Sequence, residues 1–490
     1  LVAGEMFGLP EYFAKGKEKL LGVRDLFMRC GALMEYGSNT YTPIDTLCFA
    51  EMACHVVDEE ARETALLCEE RMWLEIASHY HPETARLAGP HSRAYAIDMV
   101  GHPHLFSGLA WFVFGDAVFA NPVLDLFEPH QSQVMHGGLE NLTLPNLAWI
   151  INTDYHCPEY LFNHAFNKKY PYETEYMTEC IPANIISDVP DDMMHEYGGW
   201  RGRNYTYMTK EFAMGTAQSQ FHGGALSESF HITYRNKPAK RLHDTGVIYS
   251  RYIFNDKLPV RDNEYKIFGN VNYMGFRDEG RKICIQDRGA AIVAYKPKQY
   301  ERAEVQSARL CIMIPVHFFD DLRLYTDNGE IKEFPYSSAK CETIYINVYK
   351  SFFAIIPLEA TDLGRKDYIR IEKNAEHIMI SIYNYEGEVR EFGEKEIILA
   401  KNGFVCVAGD EFTGMPEFME YARDHRLRDI MERQEGAWSR KILFGNRETE
   451  MCLMFSPLTE GVFVNTVDRR PVGMNVIKAD GIDPADIPFI

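Results

Sequence analysis

The chain has no uninterrupted apolar run of about 18 residues, the stretch a membrane-spanning helix requires, so no membrane partner is expected. No Gly-x-Gly-x-x-Gly follows an early strand pattern, no Walker loop occurs, and neither a Gly-x-Ser-x-Gly elbow nor a His-Glu-x-x-His pair is found. These absences set aside Rossmann-type dinucleotide enzymes, P-loop nucleotide hydrolases, elbow-type serine hydrolases and the commonest zinc proteases. Positive charge is scarce: 51 Lys and Arg face 71 Asp and Glu, a formal charge of −20. With no basic stripe to neutralise phosphates, no nucleic-acid partner is expected. The 11 cysteines are odd in number and form no Cys-x-x-Cys pair, which points to buried free thiols in a reducing compartment. The first residues lack a charged segment leading into an apolar one. A cytoplasmic location is the expectation; a secreted or periplasmic one stays open, because the first residue is Leu and processing would remove a signal.

What is present is ordinary globular material, 46% apolar and 25% charged over 490 residues, enough for two or three domains. From Glu11 to about Phe119 the apolar spacing is helical. Ile44, Leu47, Cys48 and Met52 recur after Thr42-Pro43, a cap followed by proline in the first turn. Asp58 to Tyr80 opens on Asp-Glu-Glu, which suits a helix N-terminus, and Leu105 to Phe119 is a further apolar helix. Between about Asn121 and Asn204, Pro and Gly interrupt the pattern, as in a long functional loop. After Tyr205 the period becomes two. Short strands, among them Phe230–Tyr234, Val247–Phe254, Tyr265–Tyr273, Ala308–Pro315 and Phe404–Val407, alternate with Asp, Asn, Gly and Lys clusters. A late helix is expected near Pro416 to Gln434. The expected fold is α+β and multidomain: a helical toroid-like domain over 1–150, a connector over 151–204, a large antiparallel β-sandwich over 205–412, and a helix with a small β region over 413–490.

Four clusters carry groups suited to chemistry. In Gly37-Ser38-Asn39-Thr40-Tyr41-Thr42-Pro43 the Asn39 amide can hold a carboxyl and the Tyr41 phenol can stack on a sugar, although a turn and cap use the same residues. Gly89-Pro90-His91-Ser92-Arg93-Ala94-Tyr95 sets a base, a fixed cation and a phenol at alternate positions. Met135-His136-Gly137-Gly138 lets backbone approach a ligand or makes a plain turn. The fourth runs from Tyr205-Thr206-Tyr207 through His222-Gly223-Gly224 to Phe230-His231-Ile232-Thr233-Tyr234-Arg235, where alternation places His231, Thr233 and Arg235 on one face of a strand. No cofactor is named by these residues. Dispersed histidines such as His136, His156, His195 and His222 have no spacing that assigns a metal.

Helices, then a connector rich in aromatics and His, then a sandwich: this order resembles the toroid-plus-sandwich polysaccharide lyases, the heparinase II/III-like and alginate-lyase-like group. Asn39-x-Tyr41, His91-x-Arg93-x-Tyr95 and the stretch from His222 to Arg235 carry the likeness. The resemblance implies an incomplete α/α toroid ahead of the sandwich and β-elimination on a uronic-acid-containing glycan. It implies Asn39 and Arg93 against the uronate carboxylate, His91 as base or charge stabiliser, Tyr95 as proton donor or acceptor, and His222 approaching from the sandwich. Tyr41, His136, Tyr207, His231 and Arg235 would bind substrate. The partner implied is a carbohydrate, and a homo-oligomer is compatible with a large acidic sandwich. Two other classes compete. A glycoside hydrolase of the same architecture would draw a carboxylate pair from Glu35, Asp45, Asp98, Glu140, Glu196 and Glu211. A non-catalytic glycan binder would use Trp73, Trp111, Trp149 or Trp200 as platforms.

Overall fold

A computed structural model describes residues 1–94, 104–122, 144–180, 200–220, 227–255, 278–297, 302–316, 321–374, 377–434, 436–458, 462–473 and 475–490. The chain is α+β, with every strand pair among these residues antiparallel. The helices come first: Val2–Met6, Pro10–Arg29, Tyr41–His55 and Glu59–His79, then Leu105–Phe114, Leu144–Ile151 and Glu159–Phe166. Of the described helices, none is long and apolar enough to cross a membrane.

The Glu59–His79 helix begins where the sequence places it. Asp58 accepts the Ala61 N–H at 2.9 Å, and the Glu5 carboxylate takes the N–H groups of Val57 and Asp58 at 2.8 and 2.9 Å. Its second half is buried nearly all round, with Trp73 packed against Phe114 and Tyr155. Trp73 is only 1% exposed and donates to Glu69 at 3.0 Å, so it offers no platform to a glycan.

The ten-stranded sheet runs, edge to edge, through Tyr336–Ser338, Ile369–Lys373, His377–Phe392, Arg302–Pro315, Thr245–Phe254, Phe230–Arg235, Phe212–Ala217, Trp200–Met208, Tyr172–Cys180 and Ile477–Ala479. One face meets a seven-stranded sheet through a shared core that includes Phe212, Ile232, Tyr234, Ile312 and Ile382 on one side and Val293, Ile346, Phe353 and Phe404 on the other. This is the expected sandwich. The opposite face carries the helices, joined by a second core in which Tyr176 and Ala217 of the sheet meet Tyr36, Trp73, Tyr80 and Phe106. A five-stranded C-terminal sheet covers the far side of the seven-stranded one, with Ile442, Phe444 and Leu453 against Ile292, Ala354 and Val405.

Two sequence readings change. The large sheet begins inside the stretch read as connector, at Tyr172–Cys180. The late helix stops at Arg423; Arg426–Gln434 is a strand paired with Ala437–Gly445, in which half-buried Leu427, Asp429 and Met431 alternate with exposed Arg426, Arg428 and Ile430, as a half-exposed ribbon requires. The strand expected at Tyr265–Tyr273 lies outside the described residues. The described cysteines are all free thiols, six of them buried, while Cys48, Cys54 and Cys341 are exposed.

Candidate functional site

The helical layer lies directly on the ten-stranded sheet at Gly89-Pro90-His91. Register sets Thr206 opposite Gly215 and Gly215 opposite His231, so the three line up across neighbouring strands on the helix-facing side. A Cβ on Gly215 would overlap the Gly89 carbonyl, and one on Gly89 would come within 2.6 Å of the His231 Cβ. Two glycines therefore let the loop lie flat on the sheet, where the Thr206 hydroxyl donates to the Gly89 carbonyl at 2.7 Å. His91 then pairs with Glu228 through both backbone hydrogen bonds, 2.9 and 2.7 Å.

This seating brings His91 against His231, ring centroids 4.6 Å apart and planes at 74°. Both rings are buried, at 1% and 2% exposure. Burial drives the His91 pKa down to about 4 and that of His231 well below the usual histidine range, with Arg86 nearby adding to both. Both are neutral at pH 7. The His91 Nδ1 lies 2.5 Å from the Gly37 carbonyl, which can only accept, so Nδ1 carries the proton and Nε2 the lone pair. Neither ring nitrogen of His231 has a hydrogen-bond partner among the described residues.

Asn39 completes this face of the seam. Ser38 caps the turn, its hydroxyl accepting the Tyr41 N–H at 3.0 Å, and the Asn39 carbonyl accepts the Phe106 N–H at 2.9 Å. That bond ties Asn39 to the start of the Leu105–Phe114 helix. The Asn39 side-chain oxygen is buried and has no hydrogen-bond partner among the described residues. His104 caps the same helix through Nδ1, which accepts the Ser107 N–H at 3.2 Å, leaving its buried Nε2–H unpartnered. Unpaired polar atoms cost about 1–3 kcal/mol each when buried. Asn39 and His104 on the helical side and His231 on the sheet each carry a buried polar atom without a partner among the described residues.

Beneath it lies a buried ionic cluster. Glu228 contacts Arg251 and Lys282, and Lys282 reaches Asp278 at 3.4 Å, all four side chains being at most 1% exposed. Asp278 also accepts the N–H groups of Tyr252 and Gly280 at 2.8 and 3.0 Å. On the helical side, burial pushes the Asp45 carboxyl up to about 7, helped by the negative charge of Glu35. Glu35 in turn holds Arg93 at 2.8 Å.

Other sequence candidates fall elsewhere. Tyr207 shares a row with Met214 and Ile232, the face turned into the sandwich, so it cannot join His231. The reason is the two-residue period: Thr206, not Tyr207, faces the helices. Arg235 does share the His231 face but sits four residues on, about 13 Å at strand rise. Its guanidinium is engaged by both oxygens of Glu211, 2.6 and 2.7 Å away, which also removes Glu211 from the hydrolase candidates. Tyr41 is half-buried at the helix start. Tyr95, His136, His195 and His222, with Asp98, Glu140 and Glu196, lie outside the described residues. Among the described residues no three His, Cys, Asp or Glu side chains are grouped to hold a metal. Sequence reading missed His104, Glu75 and Glu228; for His104 the signal was its position just ahead of the apolar run at Leu105.

Residues 2–137 match the profile of a domain of unknown function (DUF8769). The match takes in Asn39, His91 and His104 but ends before His231, so the seam joins a profiled helical part to a sheet beyond it. Comparison with curated proteins gives no match.

Proposed function

We propose that the chain cleaves a uronic-acid-containing glycan by β-elimination at the seam between helices and sheet. The observation that carries the reading is the neutral His91–His231 pair, with His91 held by the Gly37 turn that leads into Asn39. Removing the proton next to a carboxylate builds negative charge, which pre-placed neutral donors stabilise without reorganisation. The Asn39 amide and the His104 Nε2–H are the donors for the carboxylate, with Arg93 contributing what charge Glu35 leaves. His91 Nε2 holds a lone pair at neutral pH and can accept the proton. His231 is the described sheet-side histidine, and Tyr95, outside the described residues, is assigned proton donor or acceptor. The helical layer is the partial toroid of this arrangement.

The test is incubation with uronate oligosaccharides while following the ultraviolet absorbance of the conjugated, unsaturated product. A rise that His91→Gln abolishes supports elimination. New reducing ends without that absorbance would sink it.

A second reading rests on Asp45. A carboxylic acid held protonated to about pH 7 beside the Glu35 carboxylate is the division of labour of a glycoside hydrolase. Reducing ends lost in Asp45→Asn would favour it.

A further inference from the structure

His91 is held from a second direction by a carboxylate that does not touch it. Glu75, on the Glu59–His79 helix, accepts the Gly37 N–H at 2.7 Å, and the Gly37 carbonyl accepts from His91 Nδ1. Glu75 is 3% exposed, and its other oxygen has no hydrogen-bond partner among the described residues. A carboxylate buried with one backbone partner is an expensive way to fill space; Leu or Met would fill it without the desolvation cost. Gly37 is no more replaceable. Its φ of +56° favours glycine, and a Cβ there would stand 2.6 Å from the Pro90 carbonyl. The Tyr36-Gly37-Ser38 turn is therefore pinned at both ends: by Glu75 at its N–H and by the His91 loop at its carbonyl.

We infer that Glu75 is a positioning residue for His91: by fixing the Gly37 turn it directs that carbonyl at Nδ1, so that the imidazole keeps its proton there and presents the Nε2 lone pair to the seam. The consequence for turnover rests on the lyase reading, but the tautomer itself exists without substrate. Asp45, Arg71 and Tyr176 are the charged or titratable groups whose fields reach Glu75. None of them supplies the Gly37 hydrogen bond.

The experiment compares the full chain with Glu75→Leu and Glu75→Gln. Ring nitrogen shifts of His91, assigned by their loss in His91→Gln, report the tautomer directly. In wild type the Nδ1–H form should dominate. In Glu75→Leu the freed turn should give a mixture of tautomers, and Glu75→Gln, which keeps an acceptor oxygen, should restore most of the Nδ1–H form. Exchange of the Gly37 amide hydrogen, followed above pH 7 where Glu75 is ionised, provides a second measurement in the milder variant: it should quicken by about 10-fold or more in Glu75→Gln as a charged acceptor becomes neutral. With uronate substrates, kcat of Glu75→Leu should fall by about 10-fold or more with KM little changed, as when other histidines lose the group that orients them. A folded Glu75→Leu with wild-type His91 shifts, or a Glu75→Gln with unchanged Gly37 exchange, would overturn the inference. If the tautomer responds as expected while no uronate is cleaved, the lyase reading fails and the positioning role stands.

Discussion

At the scale of single residues, the site depends on groups that have no room to change. Gly215 is the clearest. Any side chain there meets the Gly89 carbonyl, so Gly215→Ala must lift the His91 loop from the sheet or bend the strand. The expected loss is about 1–3 kcal/mol, read as a lower urea midpoint, and the His91–His231 contact should open. An unchanged midpoint would mean that the loop does not lie on the strand as described. Lys282 is the second such residue. Lys282→Met leaves Asp278 and Glu228 with less positive charge between them, and a loss of about 3–5 kcal/mol is expected from breaking a buried charge set by removing one partner. Restoring about half of that loss by also changing Asp278→Asn would show that the loss is electrostatic. These residues explain what was hard to read in the sequence. Glu75 and Glu228 look like members of an acidic surface in a chain of charge −20, and nothing local separates a buried acid from a solvated one.

At the scale of elements, local chemistry was legible wherever one face of an element differs from the other. Phe230–Arg235 alternates apolar with polar residues, and its two faces are as the period of two requires. Trp200–Met208 is harder, because Thr206 and Met208 are buried against the helical side while Tyr205 and Tyr207 are largely enclosed on the other. With both faces covered, polarity gives no phase, and nothing in the sequence tells that Thr206 rather than Tyr207 faces the helices. Helix starts were the most readable feature. Asp58 is an ordinary N-cap, and Asp58→Ala should lower stability by about 1 kcal/mol, seen in denaturant unfolding. Asp58→Ser, which keeps a capping oxygen, should recover most of it. A loss from both variants alike would assign the effect to the Lys17 pairing instead.

For the molecule as a whole, the buried titratable groups set a direction for acid stability. Burial lowers His79 and His91 to about 4 and also lowers His81, His104 and His231. In the unfolded chain these take up protons near 6.5. Between about 6.5 and 4 the unfolded chain then binds more protons, so stability falls as the pH falls. Asp45 and Glu75 act oppositely, since each keeps a proton up to about 7 when folded and loses it near 4 when unfolded. Burial also lowers His164 to about 4 and raises Asp287 and Asp410, so six histidines act against four carboxyls. The urea midpoint should therefore drop steadily from pH 6.5 to 4.5; a midpoint that rises over that interval would contradict the burial of the histidines. The broad architecture, helices ahead of an antiparallel sandwich, was readable because periodicity changes from helical to two along the chain. The third sheet was readable only as a small β region within 413–490, and not strand by strand, since strands such as Arg426–Gln434 bury few side chains.

The last strand of the large sheet, Ile477–Ala479, pairs with Tyr172–Cys180 across some three hundred residues of intervening chain, and Arg71 of the helical layer holds the Pro488 carbonyl at 2.8 Å. During synthesis the Tyr172–Cys180 strand therefore emerges with an open edge and waits for nearly everything that follows before its neighbour arrives. Closing so long a loop is slow, and an open edge is where chains add to one another. Folding of this protein should be least forgiving at that interval, and crowded, rapid production should send it towards aggregates that slower synthesis avoids.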